Sequence, residues 1–218
     1  MNDEDIMLVI RTLKGQLRKW DTPVVTKIAE EERSPFAILI ATILSSRTKD
    51  ETTAAAAERL FRLASTPGAM SRLTEEEVAK AIYPVGFYRT KARNVVQACK
   101  KLEESFSSAV PDNLEDLMTL PGVGRKTANL VIALGFGGPG LCVDTHVHRI
   151  SNRLGYVKTK TPGETERKLR EKLPRRYWSI YNTVMVAHGQ NICRPVSPFC
   201  GKCPVSRYCD RVGVTRSR

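Results

Sequence analysis

"LPGVGRKTANLVIALGF", Leu120 to Phe136, decides how this chain is read. A proline and two glycines precede a lysine, and an apolar run follows. Glycines turn the backbone tightly and let another group approach it, and the N–H groups of a helix start form an anion site suited to a phosphate. An ordinary helix–helix turn reads the same way, so G-x-G alone does not choose. The lysine is the anomaly. Lys126 follows Arg125 at the positive end of the helix dipole, and both disfavour an ammonium there. Partial burial against the helix's apolar face would add to this, and a lysine so tuned can be a neutral nucleophile able to form a Schiff base. A solvated surface lysine is the plain alternative.

Outward from this hairpin the sequence is helical almost throughout. Ile6, Val9, Ile10, Leu13 and Leu17 make one apolar stripe. Ser34-Pro35 supplies a cap and a first helical residue for a segment so apolar through Ile43 and Leu44 that it must be buried on most sides. Further helices are predicted over Thr52–Leu63, Glu75–Ile82, Lys91–Phe106, Leu114–Leu120 and Lys126–Gly135. Thr145–Leu154, Glu164–Leu173 and Tyr177–Ile192 follow, with Thr66-Pro67-Gly68 and Thr161-Pro162-Gly163 as breaks. No alternating strand and no repeat stands out, so the fold class is all-α. Gly135 to Gly140, GFGGPG, is a connection and a candidate domain junction.

The 218 residues suffice for one large domain or two small ones, and 41% hydrophobic with 27% charged residues fits a globular protein. The longest apolar run, Phe36 to Leu44, is too short to cross a bilayer, and Asp3, Glu4 and Asp5 stand where a signal peptide would be basic. The expectation is an intracellular protein with no membrane role. Net charge is +12, unevenly placed: residues 1–144 hold 19 basic and 19 acidic side chains, and residues 145–218 hold 16 and 4. A neutral body with a basic C-terminal third points to a polyanion.

Cys193, Cys200, Cys203 and Cys209 form C-x6-C-x2-C-x5-C, four of the six cysteines within 17 residues. Four thiolates from one segment suit tetrahedral zinc or a cubane iron–sulfur cluster, and the spacing leaves the two level. Full ligation makes such a metal structural. Arg194, Lys202, Arg207 and Arg211 are interleaved with the cysteines, where a metal-folded loop would hold them for phosphates. Cys99 and Cys142 lie in apolar surroundings and read as core. Asp144, between an apolar segment and a helix, is a favoured N-cap, but a cap can also take a proton from a neighbouring amine. His146 and His148 point to different helix faces, and His188 is isolated.

"LPGVGRKTAN", then "VDTHVHRISNRLG", then the cysteine spacing, in this order, resemble the endonuclease III family of DNA glycosylases. "SPFAILIATILSS" and "VGFYRTKARNV" extend the resemblance over nearly the whole chain. The resemblance implies a helix-hairpin-helix at Leu120, Gly122, Val123, Gly124 and Arg125 on the DNA backbone, and a [4Fe–4S] cluster on the four cysteines. It implies a six-helix barrel over 28–138, a cluster domain of 1–27 with 139–218, and DNA between them. Lys126 then matches the catalytic lysine and Asp144 the catalytic aspartate of a bifunctional glycosylase/AP lyase acting as a monomer on damaged duplex DNA, with oxidised pyrimidines as substrates. Arg194 and Lys202 are further candidate DNA contacts. One departure stands out: Arg47 occupies the place of a glutamine that fills the gap left by the flipped base, and Phe87 the second wedge position, commonly leucine. The mismatch thymine/uracil and adenine branches of the superfamily lack a lysine at position 126, and a non-catalytic iron–sulfur DNA-binding protein would need neither Lys126 nor Asp144.

Overall fold

The computed structural model describes residues 1–20, 23–32 and 34–218, and all regular elements among them are helices. The chain forms two compact units: Val24–Gly140, and Met1–Pro23 together with Leu141–Arg218. The passage from one to the other falls at the end of the glycine-rich connection. After α1 (Asp3–Gln16) come α2 (Val24–Glu32), α3 (Pro35–Ser45), α4 (Asp50–Leu63) and α5 (Pro67–Ser71). Next are α6 (Glu75–Ile82), α7 (Tyr88–Phe106), α8 (Leu114–Met118) and α9 (Arg125–Gly135). The last are α10 (Thr145–Arg153), α11 (Pro162–Lys172) and α12 (Trp178–Asn191), before a tail with two short 3-10 turns, Cys200–Lys202 and Ser206–Tyr208.

In the Val24–Gly140 unit α3 is the axis. Every residue from Phe36 to Leu44 is buried, and α2, α4, α7 and α9 all pack on it. Ser34 Oγ accepts from Ala37 N at 3.3 Å and Pro35 is the first helical residue, so the start is set locally. Each fully buried leucine or isoleucine on this helix contributes about 1.5–3 kcal/mol, far more than its helix propensity. Thr42, the one hydroxyl in the run, is satisfied by Ile38 O at 2.6 Å. The other unit closes a separate core in which Ile6, Val9, Ile10 and Leu13 of α1 meet Val147 and Ile150 of α10 and Tyr181, Val184 and Met185 of α12.

Three sequence expectations need correcting. Both Thr-Pro-Gly stretches start helices instead of breaking them: Thr66 and Thr161 are N-caps, and Pro67 and Pro162 occupy the first helical position. Proline lacks an N–H that a first helical residue would leave unpaired anyway. Helix α2 was not predicted, because Val24 and Val25 are poor helix formers; their burial, and the bond from Val24 N to Asp50 Oδ2 at 3.2 Å, hold it. Helix α7 begins at Tyr88 and not Lys91, after Phe87 turns the chain in a left-handed conformation.

Candidate functional site

The opening stretch is a helix–turn–helix of α8 and α9. Asn113 caps α8 through Asp116 N at 2.9 Å. Leu120 to Val123 form a turn closed by Val123 N on Leu120 O at 3.1 Å, with Pro121 second and Gly122 third at φ +80°. That is type II geometry, which demands glycine third, and a Cβ at Gly122 would also meet Asn94 of α7 at 2.9 Å. Leu120 and Val123 have buried side chains, so anything they offer a ligand is backbone. Gly124 and Arg125 are exposed, and Gly124 leaves the start of α9 without a side-chain cap. Lys126 is exposed too, against the expectation of partial burial, because the buried stretch of α9 begins only at Ala128.

Asp144 is the N-cap of α10: its Oδ1 accepts from Val147 N at 2.9 Å. It is half-buried, while the preceding Leu141, Cys142 and Val143 are buried. Cys142 O accepts from Asn182 Nδ2 at 3.2 Å, which ties this entry strand of irregular backbone to α12. Lys126 belongs to the Val24–Gly140 unit and Asp144 to the other.

Arg47 and Phe87 are brought together. The Arg47 guanidinium lies 5.6 Å from the Phe87 ring centre, Phe87 is 63% exposed, and both residues have left-handed backbones, at φ 54° and 59°. Such conformations in non-glycine residues cost of the order of 1–3 kcal/mol each and mark places that the surroundings over-determine.

The four tail cysteines line one cavity, walled by Ile150, Leu154, Ile192, Phe199 and Val205. None of the four forms a disulfide, and N–H groups point at two of them: Arg153 Nη1 lies 3.5 Å from Cys193 Sγ, and Arg211 N lies 3.4 Å from Cys209 Sγ. Burial pushes the Cys203 thiol up to about 11, and the other three cysteines add to it, so a thiolate at Cys203 calls for a cation beside it. An all-sulfur donor set of four around one cavity, with N–H donors to sulfur, fits an iron–sulfur cluster.

Sequence reasoning missed the supports of this tail. Arg153 also donates to Arg194 O and Pro195 O, each at 2.6 Å, and Arg149 Nη2 to Cys193 O at 3.0 Å. Their i, i+4 spacing on α10 was a usable signal. His188 is buried, with Nε2 3.8 Å from Cys203 Sγ, and burial together with the Arg149 charge lowers it to about 4. Nothing local announces this, since the tail must fold back to bring Cys203 there. Arg194 is exposed and stacks 5.3 Å from the Phe199 ring centre, while Lys202 is exposed on the first 3-10 turn of the tail.

Residues 40–175 match the model of the HhH-GPD superfamily base excision DNA repair proteins. The chain is 47% identical over 180 residues to endonuclease III of Thermotoga maritima, covering 83% of this chain and 84% of that one. Its fold matches that of a trapped endonuclease III–DNA covalent intermediate, an estranged-adenine complex, at TM-score 0.85 and 33% identity over 97% of both chains. It also shares its fold with a thermostable thymine-DNA glycosylase at TM-score 0.80 and 23% identity, over 95% of this chain and 96% of that one.

Proposed function

The chain belongs to the HhH-GPD superfamily of base excision DNA repair proteins and within it to the endonuclease III family, and from that premise we propose a bifunctional DNA glycosylase and AP lyase acting on oxidised pyrimidines in duplex DNA through Lys126. The observation that carries the reading is the exposed Lys126 in the first turn of α9, directly after a turn whose backbone is open to a phosphate.

The chemistry follows from what an amine does to a nucleoside. A base cannot be reached in the stack, so it is first extruded. The Lys126 amine attacks C1′ as the bond from C1′ to the base breaks, and the base leaves with the electron pair and gains a proton. Asp144 takes the proton that the amine must lose, or balances the positive charge developing on the sugar. Opening of the sugar ring gives a Schiff base between Lys126 and C1′. Loss of a C2′ proton then expels the 3′ phosphate by β-elimination, and water releases the enzyme. Lys126 needs to be exposed for this, since its target is a polymer that must approach it.

Cys193, Cys200, Cys203 and Cys209 would hold a [4Fe–4S] cluster, a choice supported by the family and by the four thiols lining one cavity. Such a cluster would fix the fold of the tail and with it the positions of Arg194 and Lys202, and no step of the reaction runs through it. The protein acts as a monomer in this reading.

A duplex carrying a single thymine glycol tests the function. Base release with strand cleavage 3′ to the lesion is the expected result. Base release without cleavage assigns a monofunctional glycosylase, and binding without release assigns a non-catalytic DNA-binding protein.

A further inference from the structure

The loops that carry Arg47 and Phe87 meet at one buried cation. Lys91, in the first turn of α7, is 6% exposed. Its Nζ donates to Leu44 O at 2.7 Å, Ser46 O at 2.6 Å and Thr48 Oγ1 at 3.1 Å, one acceptor for each ammonium proton. Leu44 and Ser46 stand at the end of α3, where carbonyls lack helical partners and the dipole favours a cation. The same Thr48 Oγ1 accepts from Gly86 N at 3.2 Å, and Lys91 N donates to Phe87 O at 3.0 Å. At Gly86 the loops touch: a Cβ there would come to 2.7 Å from Arg47 O. Desolvating a cation is costly, and a methionine would fill the same volume without that cost, so packing alone does not account for Lys91.

We propose that Lys91 is a positioning residue for base extrusion, its ammonium locking the Arg47 and Phe87 loops into one two-pronged wedge without itself touching DNA. The proposal rests on the glycosylase reading above and adds to it the part that holds the wedge. A left-handed backbone at two non-glycine residues persists only where the surroundings impose it, and Lys91 is the side chain that bonds the first loop directly and the second through Thr48. Freed of it, Arg47 and Phe87 relax apart and the gap left by a flipped base is filled less well.

The test uses the full chain with Lys91→Met, which keeps the stem and removes the N–H donors. Single-turnover rates at saturating enzyme are compared on a thymine-glycol duplex and on an abasic site in a single strand, where nothing has to be extruded. Excision from the duplex is expected to slow roughly 10- to 100-fold, with the abasic site cut within about threefold of the parent rate. In an Arg47→Ala/Phe87→Ala background the same substitution is expected to add less than about twofold, because its partners are gone. Equal loss on both substrates, full additivity in that background, or no loss at all overturns the proposal. Should Lys91→Met fail to fold by circular dichroism, Thr48→Val and Gly86→Ala carry the same comparison, since each uncouples the loops and leaves Lys91 in place. A parent chain inactive on both substrates overturns the glycosylase reading and this proposal with it, whereas an active parent with an unaffected variant overturns the proposal alone.

Discussion

Lys126→Gln keeps most of the side chain's length and removes the amine. Borohydride should then trap no enzyme on lesion DNA, while affinity for that DNA changes by less than about tenfold, the share of one phosphate contact among several. Normal trapping by the glutamine variant would show that another amine is the nucleophile. Asp144 serves as a cap in this structure, through Val147 N, and that makes its two possible roles separable. Asparagine caps as well as aspartate but carries no charge and accepts no proton. Asp144→Asn should leave stability within about 0.5 kcal/mol and slow excision by roughly 100-fold or more. Asp144→Ala should lose about 1 kcal/mol of stability as well. An asparagine variant as fast as the parent would reduce Asp144 to a cap. The first-turn position of Lys126 and the cap at Asp144 were legible because both are set locally. The exposure of Lys126 was not, since it depends on where the buried face of α9 begins.

Helix α7 shows what an element adds to its residues. It buries Ala92, Val95, Val96, Cys99 and Leu102 on one side, and Cys99 is completely enclosed. Burial, and then the Glu103 charge, push its thiol from the ordinary 9.0 up to about 12. The folded thiol thus keeps a proton that the unfolded chain gives up from about pH 9 upward. Its contribution to stability is fully present below pH 9 and is lost progressively as pH rises towards 12, by up to about 1.4 kcal/mol per pH unit. Cys99→Ala should flatten the decline of Tm between pH 9 and 10.5 relative to the parent. Iodoacetamide at pH 9 should label Cys99 in unfolded but not in native protein, and labelling of the native chain at the rate of a free thiol would refute its enclosure. The start of α6 fell where the sequence put it, and Thr74 and Glu77 form a reciprocal capping box there. Helix ends escaped the sequence where a neighbour sets them, as at α2 and at the left-handed entry to α7.

At the scale of the molecule, the excess positive charge and the four tail cysteines fall in the same unit. Counted by unit, residues 1–23 with 141–218 hold 20 basic and 9 acidic side chains, and residues 24–140 hold 15 and 14. DNA affinity should fall steeply with salt as phosphates are neutralised and counterions released. Cys193, Cys203 and Cys209 pack against the apolar core that α1, α10 and α12 close. Stripping the proposed cluster is therefore expected to loosen that core as well as the tail. Protein prepared without oxygen should carry about four irons per chain, and Cys203→Ser should lose iron and lower Tm together. Stoichiometric zinc in the parent would refute the cluster.

The sequence by itself determined the all-α class, the caps at Ser34 and Asp144, the turn at Gly122 and the gathering of four cysteines in one short segment. Each of these rests on interactions within a few residues: an apolar period, a side chain on its own helix end, a positive φ that only glycine takes freely, thiols within one short segment. Tertiary structure alone decided which backbone groups pair at long range. It brought Asp50 to the start of α2, turned Arg149 and Arg153 onto the Cys193 loop, put His188 beside Cys203, and set Lys91 between two loops whose joining bond, Gly86 to Thr48, spans 38 residues. A buried lysine and a surface lysine are the same letter. Only the carbonyls and hydroxyl that the fold gathers around Lys91 distinguish it from Lys126, which the fold leaves in water.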